Sequence, residues 1–185
     1  MIVYLHGFLS SPASWKACSL ASYLERHSPG VKLVVPQLPP GPNEAVHVIE
    51  HELEHCHDVA LIGSSLGAYY ATYFAERHGL RAALINPAVR PYELLASFPG
   101  PQKNLYTGEE FTVTREHLEQ LRGLDVTRIT PERYLLLLET GDEILDYREA
   151  VAKYRGAQHV VIEGGDHSFR SFEAHLPRIL EFANA

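Results

Sequence analysis

Cysteine and basic residues are scarce in this chain of 185 residues, and both shortages restrict its class. The spacing of the two cysteines, Cys18 and Cys56, does not demand a bridge, so we expect free thiols and a cytoplasmic location. The 16 lysines and arginines face 23 aspartates and glutamates, which gives a formal net charge of -7. Because binding to nucleic acid needs a basic face, we expect no nucleic-acid partner.

Long apolar runs are also absent. No run approaches the roughly 20 residues that a membrane-spanning helix needs, so no membrane span is expected. The segment from Met1 to Gly7 has no basic stretch, long apolar stretch and cleavage site in succession, so no signal peptide is expected. The composition is otherwise ordinary for a globular protein, with 45% hydrophobic and 21% charged residues. The length predicts a single domain over residues 1–185.

Short apolar runs alternate with helical patterns along most of the chain. The runs predict strands at 2–5, 31–35, 59–62, 82–85, 134–138 and 159–162. The helical patterns lie near 13–27, 43–57, 66–78, 145–155 and 168–184. Because the apolar runs mostly do not alternate with polar residues, they suit strands that are covered on both faces. The sequence therefore predicts an α/β fold with about six parallel strands in the order 2-1-3-4-5-6 and helices on both faces.

The connection between the fourth and fifth predicted strands, residues 87–131, interrupts this alternation. It has a weak helical pattern from Tyr92 to Ser97 and a clearer one from Thr114 to Arg122. Connections of this length usually serve a function or carry elements of their own. Two interpretations stay open, a small cap over a site or a helical excursion that covers the sheet edge.

One motif between a predicted strand and a predicted helix indicates chemistry. Gly63-Ser64-Ser65-Leu66-Gly67 matches the pattern G-x-S-x-G. In this setting the pattern is typical of a nucleophile elbow, a strained turn that exposes a reactive serine. The alternative is a glycine-rich phosphate-binding turn, but no P-loop lysine follows Gly67. Ser65 is therefore the candidate nucleophile.

A serine hydroxyl needs a base that takes its proton and a third group that orients the base. His167 follows two glycines just past the last predicted strand and is the candidate base, with a helix-capping histidine as the alternative. Asp142 and Asp146 compete for the third role after the fifth predicted strand, and Glu143 is a third candidate behind them. We favour Asp142, which is nearer the strand end, because Asp146 also fits the N-cap of a helix.

The loop after the first predicted strand, His6-Gly7-Phe8, is placed to take part in the same site. We expect the backbone N–H groups of Leu66 and Phe8 to form an oxyanion hole, which binds the negative oxygen that develops during acyl transfer. His6 itself is expected to brace the loop rather than to act as a base.

Taken together, these residues resemble the α/β-hydrolase superfamily and, more narrowly, the small bacterial YqiA-type esterases. The resemblance extends over the whole chain and is carried by His6-Gly7-Phe8, Ser10-Ser11-Pro12, Lys16-Ala17, Gly63-Ser64-Ser65-Leu66-Gly67, Asn86-Pro87-Ala88, Thr140-Gly141-Asp142-Glu143 and Gly164-Gly165-Asp166-His167. It implies a minimal α/β-hydrolase that cleaves carboxylic esters, with acyl-coenzyme A thioesters as a further option, and that uses no metal or organic cofactor. It also implies Ser65 as nucleophile and His167 as base, and it favours Asp142 as the acid.

A second motif, His51-Glu52-Leu53-Glu54-His55, matches the zinc-binding pattern H-E-x-x-H. Helical periodicity sets these histidines opposite an apolar stripe, on the face that is expected to meet water. We therefore expect no catalytic zinc, although surface binding of a metal stays open.

Substrate specificity is less readable. Lys16 and Arg90 are candidates for binding an anionic part of a substrate, and each is equally a surface charge. Aromatic and apolar residues of the 87–131 connection either line an acyl pocket or anchor the connection: Tyr92, Phe98, Tyr106, Phe111 and Leu118. The same three site residues would also serve an amidase, a peptidase or a carbon–carbon bond hydrolase, and a non-catalytic small-molecule binder on this fold is a further alternative. The sequence predicts no oligomeric state.

Overall fold

The computed structural model describes residues 1–54, 56, 58–98 and 100–184, and its main feature is a six-stranded parallel sheet. The strands in chain order are β1 (Ile2–Leu5), β2 (Leu33–Val34), β3 (Ala60–Ser64), β4 (Arg81–Ile85), β5 (Pro101–Lys103), β6 (Glu110–Thr112), β7 (Tyr134–Glu139) and β8 (Gln158–Ile162). The main sheet has the order β2-β1-β3-β4-β7-β8, and all of its neighbouring strands run parallel. Counted along the sheet strands alone, this is the expected order 2-1-3-4-5-6, so the fold prediction is confirmed.

Helices cover both faces of the sheet. They are α1 (Trp15–His27), α2 (Pro42–Leu53), α3 (Leu66–His78), α4 (Pro91–Leu95), α5 (Arg115–Gly123), α6 (Tyr147–Lys153) and α7 (Phe172–Asn184). One apolar core joins α1 and α7 to the sheet, and a second core joins α2, α3 and α6 to the opposite face. Successive residues of a strand point to opposite faces, so Ile2 and Val3 of β1 enter different cores. This double burial explains why the strands are continuous apolar runs.

The boundaries differ from the predictions where local turns intervene. The last helix begins at Phe172 rather than near residue 168. Phe169 is fully buried with a φ of 53°, a left-handed conformation that interrupts a helix. No helix within the described part of the chain is long and apolar enough to cross a membrane. Cys18 and Cys56 are both free thiols.

The β4–β7 connection, residues 87–131, contains α4, α5 and the antiparallel pair of β5 and β6. The Tyr69 hydroxyl of α3 donates to the Leu121 carbonyl of α5 at 2.7 Å, which fastens the connection to the body of the protein. The Asn104 side-chain amide, in the turn between β5 and β6, donates to the Ser10 carbonyl at 2.9 Å. The sequence did not predict this hairpin, which rests on the loop that follows β1.

Candidate active site

The turn between β3 and α3 is a strained elbow with Ser65 at its tip. Ser65 has φ 54° and ψ -117°, values that non-glycine residues rarely adopt. The two glycines of the motif let strand and helix approach closely. A Cβ added to Gly63 would lie 2.5 Å from Ala68 Cα, and one added to Gly67 would collide with the Leu5 carbonyl. Larger residues at either position would therefore displace the serine.

Neighbouring backbone groups hold the strained serine in place. The Ser65 N–H donates to the Ile85 carbonyl at 3.0 Å, and the Ser65 carbonyl accepts from the Ala88 N–H at 3.2 Å. Both partners lie at the end of β4 or just beyond it. The neighbouring strand thus fixes the elbow from the side.

The structure brings Ser65, Asp142 and His167 into a continuous chain of hydrogen bonds. The distance from His167 Nε2 to Ser65 Oγ is 3.1 Å, and that from His167 Nδ1 to Asp142 Oδ2 is 2.8 Å. The Asp142 side chain is only 2% exposed, whereas that of His167 is 25% exposed. An ionised carboxylate can only accept, so His167 Nδ1 carries the proton and Nε2 accepts from the Ser65 hydroxyl.

Asp142 is held by its own loop as well as by the histidine. Its Oδ1 accepts the backbone N–H groups of Ile144 and Leu145, each at 2.9 Å. These donors satisfy a nearly buried carboxylate and orient it towards the imidazole. Glu143, the next residue, accepts the backbone N–H of His167 at 2.9 Å.

Asp146, the competing acid, does not contact His167. It is the N-cap of α6, where its side chain accepts the Arg148 N–H at 3.0 Å and the Arg148 guanidinium at 2.8 Å. These hydrogen bonds hold the pKa of Asp146 below its usual value. The side chain is 42% exposed, so the residue serves as a helix cap at the surface.

Two residues that sequence reasoning left unassigned support the histidine loop from beneath. Glu139, at the end of β7, is 2% exposed, and its carboxylate accepts the Asp166 N–H at 2.9 Å and the Ser171 hydroxyl at 2.6 Å. Asn86, after β4, accepts the Glu139 N–H at 3.0 Å and donates to the Asp166 carbonyl at 3.2 Å. The sequence offered one signal for Glu139, an acidic residue at the end of an otherwise apolar strand.

The loop after β1 lies directly against the elbow. A Cβ added to Gly7 would lie 3.3 Å from Ser65 Cβ. Within the described part of the chain, the N–H groups of Phe8 and Leu66 donate to no protein acceptor. Phe8, Ser65 and His167 share the lining of a cavity of about 200 Å³. Both expected donors are therefore free to bind a ligand oxygen.

His6 fixes the shape of this loop. It is 3% exposed, its Nε2 accepts the Leu38 N–H at 3.1 Å, and its Nδ1 donates to the Gly7 carbonyl at 3.0 Å. Burial lowers the pKa of His6, against the opposing effect of the Gly7 hydrogen bond. The ring is thus a neutral brace with both nitrogens engaged.

The residues of the second motif form no site that the structure describes. His51 lies within α2, and His55 falls outside the described residues. Among the described residues, His, Cys, Asp and Glu side chains form no group of three or more that is suited to a metal ion.

The candidate substrate-binding residues named from the sequence differ in whether they reach the cavity beside Ser65. Arg90 is occupied by ion pairs with Glu93 at 3.0 Å and Glu149 at 2.6 Å. Lys16 lines the cavity beside Ser65. Of the aromatic and apolar candidates in the connection, Tyr106 lines this cavity, and Phe111 lines a smaller one next to it. Tyr92 and Leu118 pack against the core, and Phe98 is exposed.

The strand order, the elbow after β3 and the loops at the carboxyl ends of β7 and β8 define an α/β-hydrolase fold. The chain belongs to UPF0227, an uncharacterised protein family whose model matches residues 1–184. A relative, UPF0227 protein Shewana3_2292 of Shewanella sp. (strain ANA-3), is 27% identical over 98% of both chains.

Solved structures share the fold at low sequence identity. Mouse alpha/beta hydrolase domain-containing protein 10 superposes with a TM-score of 0.74 at 15% identity, covering 97% of this chain and 87% of the other. A structure reported for LipS and LipT, two metagenome-derived lipolytic enzymes, superposes with a TM-score of 0.72 at 18% identity, covering 98% of this chain and 92% of the other. The chain thus has the fold of known hydrolases.

Proposed function

We propose that this protein is a serine hydrolase that cleaves carboxylic esters of small molecules through an acyl-enzyme intermediate. The observation that carries the proposal is the unbroken hydrogen-bond chain from Ser65 through His167 to Asp142. The lipolytic enzymes among the similar structures support the same chemistry. The free thiols of Cys18 and Cys56 are in keeping with a cytoplasmic setting.

In the first half of the reaction, Ser65 Oγ attacks the ester carbonyl while His167 Nε2 takes its proton. The Asp142 carboxylate keeps the Nδ1 proton in place and stabilises the imidazolium that forms. His167 then protonates the leaving alcohol or thiol. In the second half, His167 activates water, which releases the acid from Ser65.

The oxyanion is bound by the N–H groups of Phe8 and Leu66. Leu66 is the first residue of α3, so the positive end of the helix dipole supports the same charge. Each donor of this kind contributes roughly 3 kcal/mol to transition-state stabilisation. We also propose that the β4–β7 connection acts as a small cap, because its hairpin lies on the loop that carries Phe8. No step in this scheme requires a metal or an organic cofactor.

The decisive experiment is Ser65→Ala, assayed with p-nitrophenyl butyrate. We expect kcat/KM to fall by at least about a thousandfold, because the attacking atom is removed. The exposed Ser22, on α1, provides the matched control Ser22→Ala, which should retain full activity. Circular dichroism would verify the fold of each variant.

A fluorophosphonate probe gives an independent measurement, because it labels an activated serine without requiring the right substrate. Labelling should occur in the wild type and disappear in Ser65→Ala. Retention of more than about a tenth of the activity in Ser65→Ala would exclude this serine as the nucleophile. An unlabelled wild type would favour the non-catalytic binder.

A further inference from the structure

Lys16 stands at the cavity beside Ser65 without a carboxylate partner in the described residues. Its ammonium donates to the Ser168 carbonyl at 2.7 Å and lies 5.3 Å from the Trp15 ring centroid. Lys103 and Lys153, by contrast, each pair with a carboxylate, at 3.3 and 3.0 Å. An ammonium has three donors, so Lys16 retains unused N–H groups at the edge of the cavity.

A second polar group of the same wall is also unsatisfied. Ser14 is 6% exposed, and its hydroxyl is buried without a hydrogen-bond partner among the described residues. Ser14 is the N-cap of α1, yet its side chain makes no capping hydrogen bond. Both Ser14 and Lys16 line the cavity of about 200 Å³ that also contains Ser65 and His167. A buried hydroxyl without a partner is costly, and rotation of the Ser14 side chain towards the cavity would let a ligand oxygen relieve that cost.

The acidic groups near Lys16 are engaged elsewhere. Asp142 binds His167, Glu139 binds the Asp166 N–H and Ser171, and Asp166 pairs with Arg170 at 2.8 Å. Burial lowers the pKa of Lys16 to about 8, against the opposing charges of Asp166, Glu139 and Asp142. The ammonium is therefore charged at neutral pH and available to an incoming anion.

The position of the cavity indicates which half of a substrate it receives. His167 lines this cavity, and the leaving group must lie near His167 to receive its proton. The neighbouring cavity, lined by Leu38, Leu66 and Phe111, has a volume of only about 30 Å³ and suits a short acyl group. The polar wall formed by Ser14 and Lys16 therefore faces the leaving group.

We propose that Lys16 and Ser14 bind a carboxylate on the alcohol or thiol half of the substrate, so that the enzyme prefers short-chain esters of hydroxy or mercapto acids. The proposal rests on the proposed function of Ser65. The hydrogen-bond chain of Ser65, His167 and Asp142 indicates the reaction but not the substrate. The proposal adds the class of substrate that the cavity receives.

The test compares 3-acetoxybenzoate with its neutral counterpart, 3-acetoxybenzamide. We expect the wild type to favour the carboxylate by about tenfold in kcat/KM, mainly through KM, because an ion pair in a partly buried site adds binding. In Lys16→Met this ratio should fall to near one, and in Ser14→Ala by about threefold. Lys32→Met, which removes an exposed lysine, is the matched control and should keep the wild-type ratio. The ratio should also decline above pH 8 as Lys16 loses its proton.

Equal wild-type rates for the two esters would overturn the proposal while leaving ester hydrolysis intact, and this comparison does not depend on the folding of any variant. A preference for mono-p-nitrophenyl glutarate over p-nitrophenyl valerate, without one for 3-acetoxybenzoate, would place the anion on the acyl side and contradict the assignment.

If the wild type hydrolyses p-nitrophenyl butyrate but neither of the two acetoxy compounds, the substrate class proposed here is refuted. If it hydrolyses none of the three, the proposed function fails, and calorimetric titration then decides whether Lys16 and Ser14 bind a carboxylate. Tighter binding of 3-hydroxybenzoate than of 3-hydroxybenzamide, lost in Lys16→Met, would support it. Equal binding would refute it.

Discussion

Two of the walls that line the cavity beside Ser65 differ in construction. The strand-end wall consists of the loops after β1, β3, β7 and β8, and it holds Ser65, Asp142 and His167 through partly buried hydrogen bonds. The connection wall is the hairpin of β5 and β6, where Leu105 is 81% exposed and Tyr106 47% exposed. Reaction chemistry needs atoms held to within about half an ångström, which rigid elements provide. Substrate selection tolerates variation, so it suits an exposed hairpin with few contacts to the sheet. We therefore expect damage to the residues that hold Ser65, Asp142 and His167 to lower turnover, and damage to the connection wall to alter selectivity.

The largest effect that tests this comparison is expected from Asp142→Asn. An amide at this position can donate to His167 and favour the wrong tautomer, so kcat should fall by about 10²- to 10⁴-fold. Asp146→Asn removes a charge four residues away but keeps a side chain that caps helices well, so kcat should change less than about threefold. Steady-state kinetics with one activated ester would measure both variants. The opposite ranking would show that Asp146 is the acid and that the geometry of the hydrogen bonds is misleading.

An intermediate effect is expected from Glu139→Gln, because Glu139 supports the histidine loop without touching the substrate. Gln can keep both contacts, with its amide oxygen accepting the Asp166 N–H and its NH₂ group donating to the Ser171 hydroxyl, but both hydrogen bonds lose the charge of the carboxylate and become weaker. The free energy of unfolding in urea should fall by about 2 kcal/mol, and kcat by about tenfold with KM nearly unchanged.

Glu163→Gln is the matched control for this variant, since Glu163 is exposed and lies on the loop after β8 that carries His167. It should leave both quantities unchanged. A stable Glu139→Gln with full kcat would mean that the histidine loop holds its shape without the carboxylate, and that the strand-end wall is less dependent on buried polar contacts than the structure indicates.

The predictable part of the site follows from one rule, and the unpredictable part from contacts between distant segments. The carboxyl ends of parallel strands meet at one edge of the sheet. The proximity of Ser65 and His167 could therefore be predicted from the sequence, although they are 102 residues apart. The sequence showed an acidic residue, Glu139, at a strand end, but it did not predict that Glu139 supports the histidine loop, because its partner Asp166 lies on another strand-end loop. The choice between Asp142 and Asp146 depended on the geometry of the turn after β7, which directs Asp142 to His167 and places Asp146 at the N-cap of α6.

The hairpin of β5 and β6 escaped prediction for a related reason. Its strands have only three residues each, and the residues at their ends are exposed, so they show no apolar run. Its position depends on Asn104, which reaches the Ser10 carbonyl across the cavity rim. Local sequence patterns carry no signal for such a contact, since its two ends are 94 residues apart.

The smallest effect, and the one specific to the connection wall, is expected from Phe111→Ala. The Phe111 ring packs edge-to-face on Phe8 at 5.7 Å between centroids and lines the small cavity next to Leu66. Removing the ring should enlarge this cavity and raise kcat/KM for p-nitrophenyl octanoate relative to the acetate by about fourfold, the effect of burying one more methylene at about 0.8 kcal/mol. Phe98→Ala, at an exposed position of the same connection outside both cavities, should leave chain-length preference unchanged. If Phe111→Ala instead lowered kcat for all chain lengths equally, the connection would be acting on the oxyanion loop through Phe8, and the two walls would not be separable in function.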